Sequence, residues 1–193
     1  MSTFSFQSLN LRAEIGGNSY SLNLDGTLIL LDAGMHPKEN GLDALPRYQD
    51  VPFDSADAII ISHSHLDHIG TLPVAQREQP SAPVYLTAPC AALGEALLHN
   101  SVNVMSSQRE ELGITDYPLY HHREIDHLRD RWMIRPYEKT FSLDPLGETE
   151  TTVTFYDAGH ILGSAGVLIE KNNRQIFYTG DVNFKGHSLI KGA

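Results

Sequence analysis

Four metal-ligating side chains fall within six residues: His63, His65, Asp67 and His68, in Ser62-His63-Ser64-His65-Leu66-Asp67-His68. His63 and His65 are two apart, so in an extended segment their rings project to the same side. Their nitrogens can then reach one cation at about 2.0–2.1 Å each. Asp67 and His68 follow on the turn into a helix, where neighbouring side chains can face a second cation. One oxygen and one nitrogen ligand suit zinc, with manganese or iron also compatible. The alternative is a solvated His-rich loop. Against it, the cluster directly follows an apolar strand, Asp57-Ala58-Ile59-Ile60-Ile61, which would deliver these side chains to one place.

Three more candidates sit at strand ends, where α/β folds place their sites. Asp32 follows Thr27-Leu28-Ile29-Leu30-Leu31, a continuous apolar run expected of a strand buried on both faces. It reads as a supporting residue that accepts a hydrogen bond from a ligand histidine or a backbone amide. His160 lies in Asp157-Ala158-Gly159-His160-Ile161-Leu162-Gly163-Ser164 between two strands, and a lone histidine there would be an ordinary core or surface residue. Asp181 follows Ile176-Phe177-Tyr178-Thr179, read as a buried strand; its two oxygens could bridge two cations.

The elements that must position these residues run strands, helices, strands, an α/β layered pattern over residues 1–193. Strands are expected over Phe4 to Leu9, Ser19 to Leu24 (with the Asp25-Gly26 turn), Thr27 to Leu31, Asp57 to Ile61 and Val84 to Thr87. Three more are expected over Thr151 to Tyr156, Gly166 to Glu170 and Gln175 to Thr179. Helices are expected from Asp67 to about Gln76, from Ala88 to about Met105, and from His122 to Arg131. Residues 35 to 55, rich in proline and glycine, read as a loop with one short helix at most.

Composition bounds the partners. The formal net charge of −10 argues against a broad basic face for nucleic-acid phosphates, although bound cations would add local positive charge that the count omits. No apolar run is long enough to span a membrane, and the N-terminus lacks the basic-then-apolar pattern of a signal peptide. The single cysteine, Cys90, suits a reducing compartment and reads as a small buried hydrophobe, so a cytoplasmic location is expected.

The motif order, Asp32, His63-Ser64-His65-Leu66-Asp67-His68, His160 and Asp181, resembles the metallo-β-lactamase superfamily across essentially the whole chain. Gly159-His160-Ile161-Leu162-Gly163-Ser164-Ala165 and Tyr178-Thr179-Gly180-Asp181-Val182 are similar to the β-CASP branch, the nucleases of RNA 3′-end processing and decay. Ile161-Leu162 resembles its RNA-processing rather than its DNA-repair members. The resemblance implies an αββα sandwich, incomplete and without the β-CASP cap, because that branch's later motifs do not appear before Ala193. It implies that His63, His65 and His160 bind one zinc, that Asp67 and His68 bind a second, and that Asp181 bridges both. Asp67 and Asp181 would be the catalytic carboxylates, Asp67 also orienting the nucleophile, with Asp32 behind them. The implied activity is zinc-dependent cleavage of RNA or other single-stranded nucleic acid. The second zinc site would be short of a ligand and the chain alone poorly active. A chain ending inside its fold would also expose apolar surface, which makes homo-oligomerisation an expectation.

Two rivals share these residues. One is a hydrolase of a small ester, thioester or lactone, since fold alone does not decide substrate. The other is a non-catalytic RNA- or partner-binding member, which the retention of all four ligands in the 63–68 cluster disfavours. His187 reads as an exposed loop residue. His121, His122 and His127 read as a solvated helix face with charge pairs rather than a third metal site. Trp132 and Tyr137 read as packing residues.

Overall fold

The computed structural model describes residues 3–11, 16–143, 151–186 and 190–193. His187 lies outside the described residues.

The chain up to Ile134 builds a six-stranded sheet. Its strands, in spatial and sequence order, are β1 (Phe4–Ser8), β2 (Tyr20–Leu24), β3 (Thr27–Leu31), β4 (Ala58–Ile60), β5 (Val84–Leu86) and β6 (Trp132–Ile134). β1, β2 and β3 pair antiparallel, and β3 to β6 pair parallel. The parallel half needs crossovers, and these carry four helices: α1 (Leu66–Ile69), α2 (Leu72–Glu78), α3 (Ala88–Leu112) and α4 (His122–Arg129). A second, antiparallel sheet holds β7 (Phe141–Ser142), β8 (Thr152–Asp157), β9 (Ala165–Lys171) and β10 (Arg174–Tyr178), in the order β10-β9-β8-β7.

Two cores follow from this layering. Ile59, Ile61, Ile69, Leu72, Leu86, Leu98 and Val102 join the first sheet to the helices. Leu22, Ile29, Leu31, Ile60, Val153, Phe155, Val167 and Ile169 join the two sheets. β3 and β4 contribute to both, which is why their sequences are continuously apolar rather than alternating. The described residues thus form three layers, helix, sheet and sheet. The outer face of the second sheet carries exposed Tyr156 and Phe177.

Several elements differ from their sequence expectation. The helix expected over 67–76 is two helices, α1 and α2, broken at Gly70-Thr71. Pro73 stands in the first turn of α2, and its ring and missing N–H cannot sit inside a continuous helix. Thr71 is instead fixed sideways, donating to the Gly34 carbonyl and bonding the Tyr48 hydroxyl at 2.6 Å. α3 runs well past Met105 because Ser107 to Glu111 is solvated but helix-compatible, and the helix ends where Gly113 adopts φ +70°. α4 stops at Arg129. β10 is not a buried strand: Ile176 and Tyr178 turn inward while Phe177 is 53% exposed, the alternation of a sheet with one open face. The short strands β6 and β7 escaped the sequence, Trp132–Ile134 being too brief for a period to register.

Candidate metal centre

The backbone is arranged before any ligand is placed. The Leu66, Asp67 and His68 carbonyls accept hydrogen bonds from Met35 N, Asn18 N and Ala33 N at 2.7–2.8 Å. The cluster is therefore pinned to the loop after β3. That approach is so close that a Cβ on Gly34 would lie 1.8 Å from the Asp67 carbonyl oxygen, so no larger residue fits. On the other side, Ser164 Oγ accepts from the amides of His160 and Ile161, shaping the loop between β8 and β9. Ala165 N donates to Ser62 O and ties that loop to the end of β4.

The residues singled out in the sequence converge. His63 Nε2 and His160 Nε2 each lie 3.2 Å from His65 Nδ1. Asp181 Oδ2 is 3.4 Å from His160 Nε2 and 3.9 Å from His63 Nε2. These four ligand atoms all lie within 4.8 Å of one another, a set that could hold a metal ion. Asp181 also turns its Oδ1 to His68 Nε2 at 3.5 Å, and Asp67 Oδ2 lies 3.8 Å from the same nitrogen. One carboxylate thus faces both groups with different oxygens. The three-residue group of Asp67, His68 and Asp181 is looser than the first.

Asp32 anchors the arrangement from beneath. It is fully buried and has φ +60°, uncommon outside glycine. Its carboxylate accepts from Ser62 N at 2.7 Å, Ser62 Oγ at 2.8 Å, Tyr178 OH at 2.6 Å and His68 Nδ1 at 2.7 Å. Burial alone would push this carboxyl up, but the charge and hydrogen bond of His68, helped by Tyr178, hold it below the usual range. The converse holds for His68: burial works to lower it, and Asp32 and Asp67 outweigh that and raise it. His63 is pushed down to about 3, first by burial and then by neighbouring His68. Ser62 Oγ spends its proton on Asp32, so His63 Nδ1 donates to Ser62 Oγ at 3.0 Å and leaves Nε2 as a bare lone pair facing the centre.

Sequence reasoning missed three contributors. Asn18 Nδ2 donates to His68 Nε2 at 3.0 Å, while Tyr20 OH donates to Asn18 Oδ1 at 3.2 Å. Tyr178 closes the set under Asp32, its own hydroxyl pushed well up by burial and by that carboxylate. None has a local signature, since each reaches the centre only through sheet pairing. Cys90 is buried and burial pushes its thiol up, so it is no nucleophile.

Comparison with known proteins agrees with this geometry. A model of the metallo-beta-lactamase superfamily domain matches residues 21–193. The chain is 34% identical over 182 residues to the endoribonuclease YSH1 of Saccharomyces cerevisiae, covering 93% of this chain and 23% of that protein. It is 32% identical over 177 residues to the Schizosaccharomyces pombe endoribonuclease ysh1, covering 91% and 22%. The chain therefore spans about a fifth of the length of these relatives. Among solved structures, a protein of unknown function from Enterococcus faecalis aligns with TM-score 0.63 and 18% identity over 96% of this chain and 44% of its own. A dizinc quorum-quenching lactonase, AidC, aligns with TM-score 0.52 and 17% identity over 84% and 55%. At those identities the two structures speak to fold only. Fold, motif geometry and family match agree: the chain belongs to the metallo-beta-lactamase superfamily.

Proposed function

We propose that this chain is the metal-binding part of a zinc-dependent endoribonuclease of RNA processing. The observation that carries the metal is that His65 Nδ1 stands 3.2 Å from both His63 Nε2 and His160 Nε2. With zinc–nitrogen bonds of about 2.0–2.1 Å, that spacing corresponds to an angle of about 103°, close to tetrahedral. His63, His65 and His160 would hold this ion with Asp181. Asp67 and His68 would hold a second, Asp181 lying between the two. The donor set of nitrogens and carboxylate oxygens fits zinc, and manganese is the next candidate.

When bound, such ions supply Lewis acidity and lower the pKa of water. The chain's own residues do the rest. Asp32 and Ser62 orient His68 and His63 so that each turns one ring nitrogen inward. Asp67, 30% exposed beside His68, would orient an attacking water. Asp181, half exposed, keeps negative charge between the two ligand groups.

An RNA phosphodiester is the substrate class favoured by the endoribonuclease relatives, which match at 32–35% identity over most of this chain. The lactonase likeness, at 17%, carries no comparable weight for a small-ester substrate. The test is a ratio. Zinc-loaded protein is given single-stranded RNA and an acyl-homoserine lactone in parallel, with His65→Ala as the blank. Slow RNA cleavage above that blank and no lactone opening is expected. Lactone turnover exceeding RNA turnover, or no metal uptake at all, overturns the reading.

A further inference from the structure

The histidines of α4 are accounted for by pairing. His122 Nδ1 shares a hydrogen bond with His99 Nδ1 of α3 at 2.8 Å, and the His121 backbone amide donates to Glu124 Oε2. The expected charge pairs run between helices rather than along one, Arg77 to Glu124 and Arg129 to Glu95. Tyr137 is different. Its ring packs against the core between the sheets, in keeping with the sequence expectation. Its hydroxyl, however, donates to the Ser164 carbonyl at 2.8 Å, in the loop between β8 and β9 that carries His160. Burial, and then the Asp157 carboxylate, push that hydroxyl up, so it remains a donor.

Ser164 is the pivot of that loop. Fully buried, it takes the His160 and Ile161 amides on its Oγ at 3.2 Å each. Its own amide donates to Ile161 O at 3.0 Å, and the carbonyl that Tyr137 holds also accepts from Ala158 N at 3.1 Å. Those contacts close the loop on itself without placing it against the first sheet. Three others do: Ala165 N to Ser62 O at 2.8 Å, Tyr137 OH to Ser164 O, and Thr87 Oγ1 to the Gly163 carbonyl at 2.7 Å. Thr87 also caps α3, accepting from Cys90 N at 3.3 Å. Gly163 makes that approach possible, with φ +84° and a position where a Cβ would lie 2.5 Å from Cys90 N.

His63 and His65 come from the end of β4 in the first sheet, whereas His160 comes from the second. Its Nε2 stands 3.2 Å from His65 Nδ1 only while the two sheets keep their loops in register. Such a constellation must hold within about 0.5 Å to bind its ion well. Thr87 follows β5 and Tyr137 follows β6, so both hydroxyls reach out from the first sheet. Each grips a backbone carbonyl within one turn of His160.

We propose that Tyr137, together with Thr87, is a positioning residue for the metal ligand His160: its hydroxyl sets the Ser164 carbonyl, and Ser164 Oγ sets the His160 amide. This rests on the metal-binding reading of the centre. Because His160 belongs to the first ligand group, the effect falls on that ion and spares the one at Asp67 and His68.

Tyr137→Phe keeps the ring and removes only the donor. Chelator competition, read for each ion separately, should show the first bound about tenfold more weakly and the second unchanged. In metal-free protein, amide exchange at His160 and Ile161 should quicken about fivefold, a readout independent of any ion. Thr87→Val should act in the same sense, with Thr87→Ser restoring wild-type affinity. Tyr120→Phe is the control. It removes a like hydrogen bond, from a buried hydroxyl to Gly70 O at 2.8 Å rather than to the His160 loop, and should leave the first ion as tightly bound as in wild type. An unchanged first ion in Tyr137→Phe overturns the proposal. So does an equal loss in Tyr120→Phe, which would make the effect one of general stability. Should wild type itself take up no zinc, the metal reading and this proposal fall together; unchanged affinity in a zinc-binding protein sinks this proposal alone.

Discussion

The two halves of the main centre are built to different standards. Around His63, His65 and His160, three nitrogens and an Asp181 oxygen already stand at coordination spacing. Around His68, the carboxylates are 3.5 and 3.8 Å away, and Asn18 donates a hydrogen bond to the nitrogen that a second ion would need. The first half draws on three separate strand ends that two sheets hold in register. The second takes Asp67 and His68 from one short helix turn, with Asp32 beneath it and Asp181 shared with the first. A site assembled from rigid elements is preorganised, whereas one resting on a single turn must adjust to its ion.

That contrast can be broken most directly at His65, whose Nδ1 is 3.2 Å from both partner nitrogens. His65→Ala should remove one equivalent of zinc in elemental analysis, and an unchanged stoichiometry would refute the first half as described. Asp32→Ala should strike the other half and the fold together. It strips the acceptor from His68, Ser62 and Tyr178 in a fully buried position, costing about 3–5 kcal/mol. Calorimetry should show a melting temperature lower by roughly 10 °C, and competition with a chelator should show a second ion bound about 10–100-fold more weakly. Should the first ion suffer as much as the second, the two halves are not separable.

Smaller changes sharpen the comparison. Tyr178→Phe removes one hydrogen bond to a charged group, so a loss of about 1.5–3 kcal/mol in urea unfolding is expected, with metal content intact. Asn18→Ala should act in the opposite sense. It frees His68 Nε2 of a neutral hydrogen bond worth about 1 kcal/mol, so the second ion should bind about fivefold more tightly. Weaker binding in Asn18→Ala would instead make Asn18 a support of the ion.

The sequence exposes the half-sites unevenly. His63, His65, Asp67 and His68 are legible because spacing in a chain segment dictates direction over a few residues. His160 and Asp181 are legible only because strands deliver them. Pro73 was visible in the sequence and sufficed to forbid a single helix from 67 to 76. β10 looked buried because apolar content does not reveal which sheet face remains open.

By itself, then, the amino-acid sequence determined the two apolar central strands, the ligand types and the order in which strands hand them to one end of the sheets. Tertiary structure alone decided that Asp181 faces both groups, that Asn18 stands at His68 Nε2, and that His122 answers to His99 rather than to its chain neighbours. The physical reason is range. Backbone periodicity orients side chains within a turn or two, whereas contacts between residues 23, 50 or 146 positions apart exist only once sheets and helices have packed.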